Sequence, residues 1–94
     1  MAGDPSQKAI EQAILALTAA RAPRTICPSE AARSLMADEA AWRALMPAVR
    51  EAAGRLADAG LIKVTQRGAI VDPRTARGPI RLSAARAPSA TDDQ

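Results

Sequence analysis

Three successive helical patterns, followed by a ribbon of alternating apolar and basic residues, predict a mainly α fold with a small β-hairpin. That order, three helices and then a β wing, is the pattern of a winged helix-turn-helix. The charge distribution points the same way. Residues 1–62 carry seven bases and seven acids and are neutral, whereas Lys63 to Arg86 holds six bases against Asp72 alone.

The chain has 94 residues, enough for one small domain. Its hydrophobic fraction is 48%, but alanine dominates it, and Phe and Tyr are absent. The predicted core is therefore thin. Arginine outnumbers lysine eleven to two, a bias common in GC-rich genomes, so the position of the charge carries more weight than its amount.

Asp4-Pro5-Ser6-Gln7 reads as a helix start, with Asp4 as cap and Pro5 at the first position. Ile10, Ala13, Ile14, Leu17 and Ala20 share one face, with Thr18 off it, and the helix is expected from Pro5 to Arg21 before Pro23 breaks the pattern. Thr25-Ile26-Cys27 is β-favouring and is expected as a minor strand. Pro28-Ser29-Glu30 opens a second helix, fading near Met36-Ala37. Asp38 caps a longer pattern that stops at Gly60, with Leu45, Met46, Val49, Ala52, Ala53 and Leu56 as its apolar stripe. Pro47 interrupts that stripe and removes one backbone hydrogen bond. Either a kink or a break fits, and a fresh helix over Pro47–Ala59 is the preferred expectation.

Leu61 to Gln66 alternates as a strand, Arg67-Gly68 reads as a turn, and Ala69-Ile70-Val71 returns as its partner. Asp72-Pro73 ends it. Ile80 and Leu82 flank Arg81 in a further short strand. From Ser83 the chain shows no apolar period. The expected organisation is a flexible N-terminus over 1–4, a winged helix-turn-helix domain over 5–83 and a disordered tail over 84–94.

Four segments together resemble a small bacterial domain family of unknown function: Thr25-Ile26-Cys27-Pro28-Ser29-Glu30, Trp42-Arg43-Ala44-Leu45-Met46-Pro47-Ala48-Val49-Arg50, Val64-Thr65-Gln66-Arg67-Gly68, and Val71-Asp72-Pro73 with Gly78-Pro79-Ile80-Arg81. The resemblance spans roughly residues 7–83. It implies a winged-helix fold and assigns no activity and no site residue.

The chain has no histidine, which removes Ser-His, Cys-His and His-metal arrangements. One cysteine cannot build a zinc site without histidine, and it forms no internal disulfide. Phosphate-binding glycine loops are absent. No enzyme activity, cofactor or metal is expected. Cys27, at a helix start, reads as a small inert core residue rather than a reactive thiol. Trp42, the lone aromatic, reads as an anchor between the second and third helices rather than a nucleic-acid wedge. No segment approaches a membrane span, and the N-terminus lacks signal-peptide features, so a cytoplasmic location with no membrane partner is expected.

The candidate nucleic-acid contacts fall in two groups. Arg43 and Arg50 lie along one edge of the third helix with Gly54, where a guanidinium can reach a base edge or a phosphate in a major groove. Glu51 and Asp58 oppose that role. Lys63, Arg67, Arg74, Arg77 and Arg81 belong to the hairpin and the segment after it, and backbone phosphates are their natural partners. Arg67, at the turn tip, is the leading candidate. The function expected is binding of double-stranded DNA, with the third helix in the major groove and the basic wing on the backbone. The alternative is a protein–protein interaction or dimerisation module of the same fold, as a homodimer or with another protein; RNA binding comes after both.

Overall fold

A computed structural model of the chain describes residues 5–85. The expectations for residues 1–4 and 86–94 lie outside the described residues. Three helices, α1 (Gln7–Arg21), α2 (Pro28–Leu35) and α3 (Glu39–Asp58), precede three strands, β1 (Ile62–Gln66), β2 (Ala69–Ile70) and β3 (Arg81–Ala84). The architecture is mainly helical with a small antiparallel sheet of order β2-β1-β3.

The helix starts follow from capping. Ser6 caps α1, its hydroxyl accepting from the Ala9 amide at 3.1 Å, so the helix begins two residues later than expected. Asp38 caps α3 and accepts from the Ala41 amide at 3.0 Å. At α2, Pro28 occupies the first turn and the Glu30 carboxylate reaches back to the Cys27 amide at 3.2 Å. Burial disfavours the Glu30 anion, but Arg21 at 2.7 Å and the Cys27 amide outweigh it and hold the carboxyl below its usual range. A depressed folded-state pKa gives stability that is complete above the ordinary Glu value of about 4.3 and is lost as pH falls through the lower folded value. The stability difference between the wild type and Glu30→Gln, followed by denaturant titration, should therefore shrink as pH is lowered from neutral through that range.

The helix at Pro47 is continuous, which corrects the expected break. Pro47 lies on the exposed side, where water can serve the Arg43 carbonyl that loses its amide partner. In α1 the buried face is Ile10, Ile14 and Thr18, while Ala20 is exposed. Thr18 tolerates burial because its hydroxyl donates to the Ile14 carbonyl at 2.9 Å.

The core joins these helix faces to one side of the sheet: Val49, Ala52, Ala53 and Leu56 from α3, Ile62 and Val64 from β1, Leu82 from β3 and Ile80 just before it. β1 is central and pairs antiparallel with both neighbours. Ile26 adds a bridge on the far side of β3, exchanging two backbone bonds with Leu82 at 2.7 and 2.8 Å. β3 also includes Ser83 and Ala84, paired with Lys63 and Ile62, where the absence of an apolar period had suggested no structure. Backbone pairing holds these small residues, and side-chain patterning does not report it.

Candidate functional site

The β1–β2 hairpin closes on Arg67 (φ 53°) and Gly68 (φ 85°). Positive φ at both central residues is the requirement of a two-residue turn that matches strand twist, and Gly68 meets it without strain. The turn projects Arg67 into solvent. After β2 the chain loops back along α3 and returns through Arg77-Gly78-Pro79 to β3. Gln66 holds that return, its amide donating to the carbonyls of Arg77 and Pro79. A groove of about 360 Å³ results, lined by Gln66, Arg67, Arg77, Gly78, Pro79 and Arg81.

Three of the seven arginines and lysines singled out in the sequence thus line one groove. None of the three forms an ion pair among the described residues. Arg81 is oriented by Thr25, donating to its hydroxyl at 2.8 Å and its carbonyl at 3.4 Å. Both acceptors are neutral, so no carboxylate among the described residues offsets the guanidinium charge. Lys63 is exposed on β1 and likewise makes no ion pair among the described residues. Its strand parity matches that of Thr65, which pairs with Arg81, so Lys63 and Arg81 share the outer face of the sheet.

The remaining three residues are engaged elsewhere. Arg43 pairs with Glu39 one turn earlier at 2.7 Å and lies 4.9 Å from the Trp42 ring centroid. Arg50 donates to three loop carbonyls, of Pro73 at 3.2 Å, Ala76 at 3.0 Å and Gly78 at 2.7 Å. Arg74 binds Asp72 at 2.9 Å and Asp58 at 3.1 Å. The Arg74 amide and guanidinium hold Asp72 below its usual range, and Asp72 and Asp58 together raise Arg74. Gly54 is buried beneath Arg74, whose guanidinium would collide with any Cβ there. The close approach that a glycine permits is thus made from within the chain. The 72–79 loop lies along the helix edge that carries Arg50, Gly54 and Asp58, burying Gly54 and leaving Asp58 exposed.

Sequence reasoning did not single out Arg33 of α2, whose guanidinium lies 5.2 Å from the ring centroid of Trp42 on α3. The α2-to-α3 spacing brings it there, and no motif marks it. Trp42 itself packs half-buried against the core. Cys27 is half-buried at the start of α2, with its sulfur 3.1 Å from the Ser29 hydroxyl. Among the described residues no group of three His, Cys, Asp or Glu side chains is placed to hold a metal ion, and no helix is long and apolar enough to cross a membrane.

Fold and groove together define a small mainly helical domain with a three-stranded antiparallel sheet and a cationic cleft beside its hairpin tip. The chain belongs to the family described as "Protein of unknown function (DUF3253)", whose model matches residues 7–85. No curated protein matches it.

Proposed function

We propose that this is a winged-helix domain that binds the backbone of double-stranded DNA through the groove beside its hairpin. The observation that carries the reading is the convergence of Arg67, Arg77 and Arg81 on one cleft with no carboxylate partner among the described residues. Guanidinium groups suit phosphate oxygens because their planar donors match them two at a time. The order of elements supports the fold assignment: a helix, the Ile26 bridge, two helices, then a hairpin and a returning strand.

The contribution of α3 is smaller than the sequence suggested. Its one exposed cation is Arg43, which is paired with Glu39, and Glu51 stays exposed nearby. Binding is therefore dominated by phosphate contacts and is largely independent of sequence, in the affinity range of about 10⁻⁴–10⁻⁶ M typical of such contacts.

Fluorescence anisotropy with a random duplex tests this. Three phosphate contacts give a log–log salt slope of about −2.7, which amounts to about 40-fold weaker binding at 200 mM than at 50 mM salt. Arg67→Ala should weaken binding to every duplex alike and make the slope shallower by about 0.9. Affinity indifferent to salt, or single-stranded DNA or RNA competing better than duplex, would reject the proposal. The alternative, an interaction module without nucleic acid, has one specific observation behind it: Ile70 is 69% exposed at the sheet edge.

A further inference from the structure

We infer that the outer edge of the β1–β2 hairpin pairs with the same edge of a second copy of this chain. β2 is the end strand of the sheet. Gln66 faces Ala69 at the two-residue turn, and the Val71 amide donates to the Val64 carbonyl at 3.0 Å. Hydrogen-bonded and non-bonded pairs alternate along an antiparallel ladder, so Thr65 and Ile70, lying between those two, form the non-bonded pair. The amide and carbonyl of Ile70 consequently point away from β1. An unpaired edge that also displays an exposed branched apolar side chain is a template for strand addition. β2 is two residues long, which limits the added ladder to the outward amide and carbonyl of Ile70, but it carries no lysine, proline or inward charge.

Charge selects the occupant. One end of the edge carries Arg67, without a carboxylate partner among the described residues. At the other end Asp58 and Asp72 share the single guanidinium of Arg74, which leaves that end negative. Ile70 and both aspartates line one pocket of about 330 Å³ there. Such an edge complements itself only in antiparallel order, and a two-fold contact uses the same patch on both partners. Centring the axis on Ile70 sets Ile70 against its counterpart, places Gly68 beside Asp72, whose carbonyl is already taken by the Thr75 and Ala76 amides, and carries each Arg67 to the acidic end of the other copy. A uniformly acidic or basic strand would meet like charge at one end. Arg67 then has two possible acceptors, a phosphate or the second copy's carboxylates, and the two forms of binding compete for it.

Sedimentation of the full chain at low salt, up to about 1 mM, reads this directly. The mass should rise from that of one chain toward that of two. Ile70→Glu should raise the dissociation constant at least about 10-fold, and its urea midpoint should match the wild type because the side chain is exposed. Arg67→Asp and Asp58→Lys should each weaken self-pairing. An equimolar mixture of these two variants should restore it, since both contacts in the mixed pair join opposite charges. One mass across the whole range, an Ile70→Glu variant that pairs like the wild type, or a mixture no stronger than either variant alone would overturn the inference. These readouts contain no nucleic acid, so their failure is distinct from failure of DNA binding.

Discussion

Leu82→Ala should lower the unfolding free energy by about 3 kcal/mol. Leu82 is fully buried, pairs with Val64 across the sheet and exchanges two backbone bonds with Ile26. Its side chain lies where the sheet meets the α1 and α3 faces, so truncation leaves a cavity that rigid neighbours on several sides cannot fill. The core has few large side chains, and a domain of this size holds only about 5–10 kcal/mol in total. A single deletion therefore removes a large share. With a urea m-value near 1 kcal/mol/M, the midpoint should fall by about 3 M at unchanged slope. Ile70→Ala, at an exposed position, should change stability by no more than about 0.5 kcal/mol. A loss below about 1 kcal/mol for Leu82→Ala would show that the sheet is not bound into the core in this way.

Arg50→Ala should cost about 1–2 kcal/mol and release the 72–79 loop. Its guanidinium holds the carbonyls of Pro73, Ala76 and Gly78, and hydrogen bonds from a charged donor are among the stronger ones. Once it is lost, Gln66 still holds the return past Gly78 through the carbonyls of Arg77 and Pro79. The amides of Thr75 and Ala76, which donate to the Asp72 carbonyl at 3.1 and 2.9 Å, should exchange with solvent faster in the variant. Duplex affinity should fall as well, though less than on loss of a groove arginine, because Arg77 is held less firmly once the carbonyls on either side of it are released, while Arg67 and Arg81 keep their places. Arg50→Lys keeps the charge but not the planar fork, and one ammonium cannot reproduce the same three-carbonyl geometry. It should lie between the wild type and alanine in hydrogen exchange. Unchanged exchange at Thr75 and Ala76 in Arg50→Ala would remove the staple from the account.

The three helices, the cap at Asp38, the helix start at Pro28, the strand around Ile62 and Val64, and the turn at Arg67-Gly68 were legible because each depends on neighbours close in the chain. Capping needs an acceptor three residues from an amide, amphipathic faces repeat every third or fourth residue, and the hairpin turn needs positive φ at two adjacent positions. The continuous helix through Pro47 was not legible. A proline removes one bond and leaves the rest, and the apolar stripe from Leu45 to Leu56 binds both halves to the core. Burial of Thr18 was hidden because its hydroxyl is satisfied only once the helix exists. The strand at Ser83-Ala84 was hidden because backbone pairing with β1, which no side-chain period reports, helps to hold it.

The candidate site divides along the same line. Sequence placed Arg43, Arg50, Lys63, Arg67, Arg74, Arg77 and Arg81 on a basic C-terminal third and a helix edge, since charge and spacing are properties of the chain. Which of them remain open to a ligand was decided by tertiary structure. Arg50 meets carbonyls more than twenty residues away, Arg74 meets Asp58 across the loop, and Arg81 meets Thr25 across most of the chain. A cation's availability depends on what lies within about 4 Å of it in space. Folding alone brings those partners together, and it leaves Arg67, Arg77 and Arg81 around one cleft.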